Sequence, residues 1–243
     1  MIEIDLVSKA ALNNAQWCDF VCSSYGNTGL WTKSIWVNKE GNLPFYPNAV
    51  TLVGSEGILD QRQWLRDVIS SSLLGQFVVK DSFHTLDLSD FGFNVLFEAN
   101  WIFKLPSDRL EVDRHHWVNI KGERALGLWE MEWSKFNQVP YRSNNRFFRA
   151  ELLLRPEIHI LLAFQNGEPV GGGIISAGNG VVGISNLFYS PDRNIPIWNG
   201  LCYHANQFFP GFTNVSYVVD NALPFAIEVG FKPIGSLRVW KKP

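Results

Sequence analysis

The sequence predicts an α/β (α+β) protein made of two mixed α/β domains in tandem, each with helices flanking a central sheet. Helical and strand-like segments alternate along the 243 residues, and one local pattern occurs twice. The pattern is a helix end, a Gly-Phe pair and a strand, with Gly92 and Gly230 lying 138 positions apart. The closing tryptophans, Trp101 and Trp240, lie 139 positions apart. A duplication explains this agreement; chance recurrence is the alternative, because glycine often ends helices.

The composition fits a folded chain with one large core or two modest ones. Hydrophobic residues make up 46% of the sequence and aromatic residues 14%, which excludes disorder. The formal net charge is only −2, so nucleic acid is an unlikely partner. The acidic start of the chain lacks the features of a signal peptide, and no apolar run approaches the ~20 residues that span a bilayer. We therefore expect a cytoplasmic protein without a membrane segment.

The cysteines and histidines do not indicate a metal or redox site. Cys18 and Cys22 are spaced to lie on one buried helix face, and with Cys202 they are predicted to be structural thiols. His115-His116 has no third ligand at metal spacing, so we predict no metal site. No Ser-His-Asp signature is visible either.

The first half alternates helices with short strands. Leu65, Val68 and Leu73 recur at helical spacing, and proline residues break the chain before Ala49. The predicted elements are helix 8–23, strand 31–37, strand 49–53, helix 58–74, strand 77–80 and a helical turn over 85–91.

The second half has clearer signals. Asn166-Gly167 predicts a tight hairpin turn, and Pro156 stops the helix that precedes it. Leu201, Cys202 and Ala205 share one face of the best-defined helix. The predicted elements are strand 116–120, helix 124–137, helix 145–154, strands 158–164, 170–177 and 181–189, helix 197–209, strand 215–219, helix 222–229 and strand 231–240.

This order of elements resembles the GNAT fold of acyl-CoA N-acyltransferases over roughly residues 114–242. The most specific marks are the strand-loop-helix at Ile184 to Phe209 and the asparagine-led helix at Asn221 to Phe231. The resemblance implies a central sheet that splays open to receive the pantetheine arm of coenzyme A. It assigns residues 114–243 to a GNAT-like acyltransferase domain and residues 1–110 to a partial or degenerate copy.

The resemblance also implies where acetyl-CoA or another acyl-CoA would bind as co-substrate. In the family, the pyrophosphate rests on backbone amides where the helix after the fourth strand begins. The usual motif is Gln/Arg-x-x-Gly-x-Gly/Ala; this chain has Arg193 at the first position but Pro196 and Trp198 where small residues are expected. The implied cofactor-binding residues are Leu187, Phe188, Tyr189, Arg193, Asn194, Asn199, Gly200 and Asn221.

The catalytic groups that the resemblance implies are less regular. A tyrosine often lies four residues before the glycine of the last helix, and this chain has Ala226 there. The predicted catalytic residues are Asn186, which can order a water, and Tyr217. The predicted function is transfer of an acyl group to an amine on a small molecule or peptide.

Two other functions remain open at this stage. Pro196, Trp198 and Ala226 also suit a catalytically inactive ligand- or peptide-binding module that has kept the fold. Tandem GNAT proteins that use charged tRNA are a third class, which the near-neutral charge disfavours. The sequence does not predict the oligomeric state.

Overall fold

The computed structural model describes residues 2–40, 43–71, 76–106, 115–141, 146–190 and 194–243. The chain divides into two compact units, which we describe separately. The first comprises Met1–Trp101, Tyr217–Asn221 and Pro233–Pro243, and the second Ile102–Ser216 and Ala222–Lys232. The C-terminal strand is thus counted with the N-terminal unit, and the domain limits 1–110 and 114–243 stay a prediction about the duplication.

The elements follow the predicted order along most of the chain. The helices are α1 Ile2–Ser23, α2 Ile58–Ser71, α3 Glu123–Phe136, α4 Asn194–Phe208 and α5 Leu223–Glu228. The strands are β1 Leu30–Trp31, β2 Ile35–Val37, β3 Ala49–Thr51, β4 Phe77–Asp81, β5 Asn94–Lys104, β6 His116–Asn119, β7 Ile158–Gln165, β8 Glu168–Gly178, β9 Val181–Tyr189, β10 Thr213–Val218 and β11 Lys232–Lys242. None of the helices in these ranges combines the length and apolar character needed to cross a membrane.

The first unit contains a mixed sheet in the order β1-β2-β3-β4-β11-β5. β3 runs parallel to β4, and β11 runs antiparallel to it. α2 covers one face with Leu65 and Val68, and α1 supplies Cys18 and Cys22 to a second cluster. Burial raises the pKa of these two thiols to about 11 and about 12, so they stay protonated and structural, as predicted.

The second unit contains a sheet in the order β10-β9-β8-β7-β6. β6 to β9 are antiparallel neighbours, whereas β10 pairs with β9 in parallel. The predicted hairpin is confirmed: Asn166 and Gly167 join β7 to β8 with φ of 54° and 85°. Positive φ at both central residues is what a type I′ turn requires, and Asn-Gly tolerates it best.

One predicted helix is wrong. Residues 146–149 are not helical, and only a 3-10 turn, Ala150–Leu154, follows them. The carboxylate of Glu130 on α3 accepts hydrogen bonds from the amides of Phe147 and Phe148 at 2.8 and 3.2 Å. These amides are therefore satisfied without a helix, and the Phe148 ring packs edge-on against Trp133. Burial raises the pKa of Glu130, a cost that the two hydrogen bonds partly offset.

The two Gly-Phe segments lead into strands that match residue by residue. β5 and β11 each have 11 residues and lie 138 positions apart at both ends, the same interval that separates Gly92 from Gly230. Their burial classes agree at nine of the 11 positions. Gly92 and Gly230 both adopt a left-handed conformation, with φ of 79° and 94°, at the end of a helical turn. Such agreement is what a duplication predicts.

The last residues of these strands, Lys104 and Lys242, cap the helical turns in a reciprocal pattern. Lys104 Nζ donates to the carbonyl of Val229 at 2.7 Å, and Lys242 Nζ donates to the carbonyl of Phe91 at 2.8 Å. Both carbonyls belong to the residue before the left-handed glycine. A cation at a helix C-terminus satisfies an orphan carbonyl and complements the helix dipole.

We expect Lys104→Met and Lys242→Met to lower the free energy of unfolding by similar amounts, about 1 kcal/mol each. Methionine keeps the aliphatic stem and removes the capping group. Chemical denaturation of each variant measures the effect, with exposed Lys33→Met as the control for loss of one charge. If the two variants lost clearly unequal free energies of unfolding, Lys104 and Lys242 would not be equivalent caps.

His159 on β7 should make the protein sensitive to acid. Its ring stacks on Phe208 at 3.8 Å between centroids, and its Nδ1 lies 2.9 Å from Nδ2 of Asn119. Burial, helped by the charge of Lys121, lowers the pKa of His159 to about 4, below its ordinary value of 6.5. Because the folded pKa is depressed, this stabilisation is present above pH 6.5 and is lost as the pH falls through 4.

The expected loss between these pH values is about 1–2 kcal/mol, since the ring is only half-buried and solvent screens part of the effect. Urea unfolding at pH 7, 6, 5 and 4 measures it. His159→Phe keeps the ring stack and should show a shallower decline. Equal slopes in both proteins would assign the acid sensitivity to other groups.

Candidate functional site

The sheet of the second unit opens between its two parallel strands, which confirms the predicted splay. Only three pairs join β9 to β10: Val181 with Thr213, Val182 with Asn214 and Gly183 with Val215. At the next position the Ser216 hydroxyl donates to the carbonyl of Ile184 at 2.8 Å. β9 then continues to Tyr189 without a β10 partner in this register. Its main-chain groups on that edge are left for another partner.

A β-bulge lies where β9 becomes free. Gly172 pairs with Phe188 but Ile174 pairs with Ser185, so Asn186 and Leu187 together oppose one residue of β8. Asn186 has φ of 51°, a left-handed conformation that asparagine tolerates better than most residues. Its Nδ2 donates to Oγ of Ser185 at 3.1 Å. Bulges bend a strand and redirect its side chains, so the predicted catalytic Asn186 lies at an irregularity of the kind found beside active sites.

The three residues after Asn186 differ in what they expose. Leu187 and Tyr189 are partly exposed, whereas Phe188 is buried and packs edge-on against Trp129 at 5.4 Å between centroids. Phe188 could therefore offer a ligand its main chain, not its ring. Burial raises the pKa of the Tyr189 hydroxyl, so Tyr189 keeps its proton at neutral pH and can act only as a donor or neutral acceptor.

α4 approaches β8 closely because two glycines of this strand, Gly171 and Gly173, form the contact surface. A Cβ on Gly171 would lie 2.7 Å from Ile197 Cγ1, and one on Gly173 would lie 2.8 Å from Leu201 Cδ1. Ile197 and Leu201 both belong to the buried face of α4. The missing side chains thus let α4 pack close to the sheet, and this packing fixes where the start of α4 lies relative to the end of β9.

The first turn of α4 offers fewer amide donors than a typical helix start. Four N–H groups lack intrahelical acceptors at a helix N-terminus. Here Pro196 has no N–H, and the amide of Ile195 already donates to Asn194 Oδ1 at 2.8 Å. In this described turn, at most the amide of Asn194 remains for an anion. Arg193, which the resemblance placed at the first motif position, lies outside the described residues.

The other residues predicted at this loop lie further into the helix. Asn199 and Gly200 are the sixth and seventh residues of α4, beyond the turn whose amides are orphaned, and Gly200 is buried. Trp198 is also buried, and its ring packs against Phe231 at 5.1 Å between centroids. The bulk of the tryptophan is thereby accommodated against the Gly-Phe segment. Cofactor binding by Asn199 and Gly200 stays a prediction.

The position expected for a tyrosine acid holds a fully buried alanine. Ala226 has no exposed surface, and its carbonyl accepts a hydrogen bond from the amide of Phe231 at 2.9 Å. This bond and the left-handed Gly230 close the C-terminus of α5. A proton donor, if one acts, must come from elsewhere.

Two predicted site residues belong to the first unit. Tyr217 packs edge-on against Trp101 at 5.5 Å, and the ammonium group of Lys80 lies 4.2 Å from its ring centroid. Asn221 lies in an exposed 3-10 turn, Asp220–Ala222, next to the carboxylate of Asp220 that Asn100 contacts at 2.7 Å. The roles of Tyr217 and Asn221 stay predictions. Among the described residues, no group of three potential metal ligands comes together.

Sequence reasoning missed two features of this site: the bulge and the glycine surface. A run of three glycines inside a strand was a usable signal, because glycine there often marks a close approach of another element. The left-handed Asn186 had no comparable signal. It depends on the register between β8 and β9, which no local pattern specifies.

The mixed sheets with flanking helices are those of a GNAT-like fold, and comparison with solved structures supports this fold. No protein-family model and no curated protein matches the sequence. A GCN5-related N-acetyltransferase from Kribbella flavida is similar over 96% of this chain and 95% of that chain, with a TM-score of 0.64 and 14% identity.

Two further structures extend the likeness across the chain. A putative GNAT-family acetyltransferase from Novosphingobium aromaticivorans has a TM-score of 0.53 at 10% identity over 95% of this chain and 97% of that one. A functionally unknown conserved protein from Staphylococcus epidermidis has a TM-score of 0.57 at 11% identity, covering 89% and 94%. At these identities the likeness concerns the fold, and the chain has the fold of the GCN5-related N-acetyltransferases.

Proposed function

We propose that the protein is an N-acyltransferase that moves an acetyl or other acyl group from an acyl-CoA to an amine. The observation that carries the proposal is the free edge of β9 beyond Ile184, with a bulge at Asn186. An extended pantetheine arm carries amide groups that can pair with a strand edge as another strand would. The GNAT-like fold of the whole chain supports the same function.

The thioester would lie beside the bulge. A main-chain amide near Leu187 or Phe188 would donate to its carbonyl oxygen and stabilise the negative charge that develops there. The amine nitrogen attacks the carbonyl carbon, the C–N bond forms, and the C–S bond breaks. One proton leaves the nitrogen, through a water held by Asn186, and one reaches the departing thiolate. Solvent water can supply that second proton.

Phosphate binding would depend on fewer donors than is usual. The amide of Asn194, with Arg193, would face the pyrophosphate. Weak binding follows, because each lost donor leaves one phosphate oxygen without a charge-assisted hydrogen bond. A neutral amine arriving at the thioester does not need a strong base, so proximity can supply much of the rate.

A transfer assay tests the proposal. The intact protein is incubated with acetyl-CoA and a panel of small-molecule and peptide amines, and release of the CoA thiol is followed. We expect turnover with at least one amine, reduced by Arg193→Ala chiefly through a higher KM for acetyl-CoA. Absence of both turnover and saturable binding of acetyl-CoA and longer acyl-CoA would refute it.

The second function is a non-catalytic module that binds a ligand or peptide in the same opening. The lost donors at Pro196 and Ile195 and the buried Ala226 favour it. This alternative predicts binding without turnover. Any amine-dependent release of CoA that Arg193→Ala diminishes would exclude it.

We also propose that the chain is a tandem duplication. The equal interval of 138 residues between β5 and β11, and the reciprocal caps by Lys104 and Lys242, support it. In this arrangement the second copy carries the acyl-CoA site, and the first copy is free to serve another purpose.

A further inference from the structure

The first unit holds a cavity of about 490 Å³ on the sheet face that carries Lys80. Its floor comes from alternate residues of neighbouring strands: the register pairs Lys80 with Val239 and Val78 with Lys241, so all four side chains share one face. The loop before β3 forms a wall that includes Phe45, whose side chain is 65% exposed. The volume is within the range typical of small-molecule sites.

The lining is mainly apolar, and its polar side chains are the amides of Asn48 and Gln76, two tyrosines and two lysines of the same charge. Leu43, Leu96 and Phe97 contribute further apolar surface, and Leu96 is 51% exposed. Lys80 and Lys241 are the charged residues among the described residues of the lining, which includes no aspartate or glutamate. An apolar cavity with positive charge on its floor selects for a negative ligand.

Lys80 is buried, and none of the described residues gives it a carboxylate partner. Only 5% of its surface is exposed. Its Nζ donates to Asn14 Oδ1 at 2.9 Å and lies 4.2 Å from the centroid of the Tyr217 ring. These neutral partners satisfy hydrogen bonding and offer a cation–π contact, but they leave the net charge in place. A buried charge is costly unless an opposite charge meets it, so an anion entering the cavity would gain affinity from this residue.

Lys241 lies diagonally across the β4–β11 pair from Lys80. Diagonal neighbours on one face of an antiparallel pair have their Cα atoms roughly 7–8 Å apart, within reach of long side chains. Both ammonium groups can therefore converge on one anionic group. Val78 and Val239, beside them on the same face, leave an apolar surface for the rest of the ligand.

We propose that this cavity binds a small organic carboxylate with an aromatic or aliphatic body. The carboxylate pairs with Lys80 and Lys241. The body lies against the valines of the floor and is covered by the loop that carries Phe45. The site is distinct in chemistry from the proposed acyl-CoA site, and its existence does not depend on transferase activity.

Calorimetry on the intact protein tests the proposal with four probes of similar shape or length. The carboxylates 3-phenylpropionate and octanoate should bind saturably at one site, with Kd below about 1 mM. Neutral 3-phenylpropionamide should bind at least about tenfold more weakly, and the cation 3-phenylpropylamine should not compete. Equal affinity for the acid and its amide would overturn the proposal, as would no binding of either carboxylate.

Variants locate the binding. Lys80→Met keeps the packing of the stem and should weaken 3-phenylpropionate binding about tenfold or more, and Lys241→Met should weaken it less because Lys241 is more exposed. Lys33→Met, which removes an exposed charge elsewhere in the unit, should leave it unchanged. Thermal melts establish that each variant folds; if Lys80→Met fails to fold, Lys241→Met with the acid–amide comparison decides. Unchanged carboxylate binding in folded Lys80→Met or, failing that, in Lys241→Met would contradict the assignment.

Discussion

Gly172→Ala is expected to destabilise the second unit by about 3 kcal/mol or more. A Cβ on Gly172 would lie 2.4 Å from the carbonyl oxygen of Leu161, a main-chain atom of the neighbouring strand. A backbone atom cannot move aside without distorting the β7–β8 ladder. Urea denaturation followed by tryptophan fluorescence measures the loss, and thermal melting provides a second reading.

Two matched variants separate the close approach from a general effect of adding a methyl group. Gly173→Ala should cost less, because its nearest neighbour is Leu201 Cδ1, the end of a flexible side chain. Gly122→Ala should be near neutral, since no atom lies within 4 Å of its Cβ position. The expected order of destabilisation is Gly172, then Gly173, then Gly122. A neutral Gly172→Ala would show that β7 and β8 are spaced differently from this structure.

Asn186 offers the second large effect, on function. Asn186→Val places a β-branched residue at a φ of 51°, which costs about 2 kcal/mol and favours straightening of the bulge. We expect acyl-CoA affinity to fall at least about tenfold, because the amides that follow would turn away from the ligand. Calorimetry with acetyl-CoA measures affinity, and CoA release with an accepting amine measures turnover.

Asn186→Gly is the matched control, since glycine adopts the same left-handed conformation without a side chain. If the side chain orders a catalytic water, this variant should bind acetyl-CoA normally while kcat falls about tenfold. Normal kcat would remove Asn186 from the chemistry and leave it a structural role at the bulge. Normal affinity in Asn186→Val would mean that the bulge does not position the thioester.

Much of the second unit could be predicted because its signals are local. Asn166-Gly167 set the β7–β8 hairpin, and the helical spacing of Leu201, Cys202 and Ala205 identified α4. Helix 145–154 failed because a distant carboxylate, Glu130, takes the amides that a helix would have used. Tertiary hydrogen bonds of this kind override local preference, and no window of sequence contains them.

The site was less accessible to sequence reasoning for a related reason. Pro196 correctly indicated a shortage of donors at α4, since the missing N–H is a property of the residue itself. The side-chain bond between Asn194 and the amide of Ile195 removes a further donor, and it depends on a rotamer. Lys80 and Lys241 are diagonal neighbours across β4 and β11, although they lie 161 positions apart in the sequence. Only the register of the sheet shows that they share a face.

Hydrogen exchange of the β9 amides tests most directly whether the free strand edge holds the thioester arm. β10 pairs with Val181–Gly183 of β9. In the protein alone, open-edge amides in the Ser185–Tyr189 segment should therefore exchange faster than the amides of Val181–Gly183. Saturating acetyl-CoA should slow exchange in the Ser185–Tyr189 segment by about tenfold or more and leave that of Val181–Gly183 unchanged. Unaltered exchange at Ser185–Tyr189 under saturating acetyl-CoA would contradict the account.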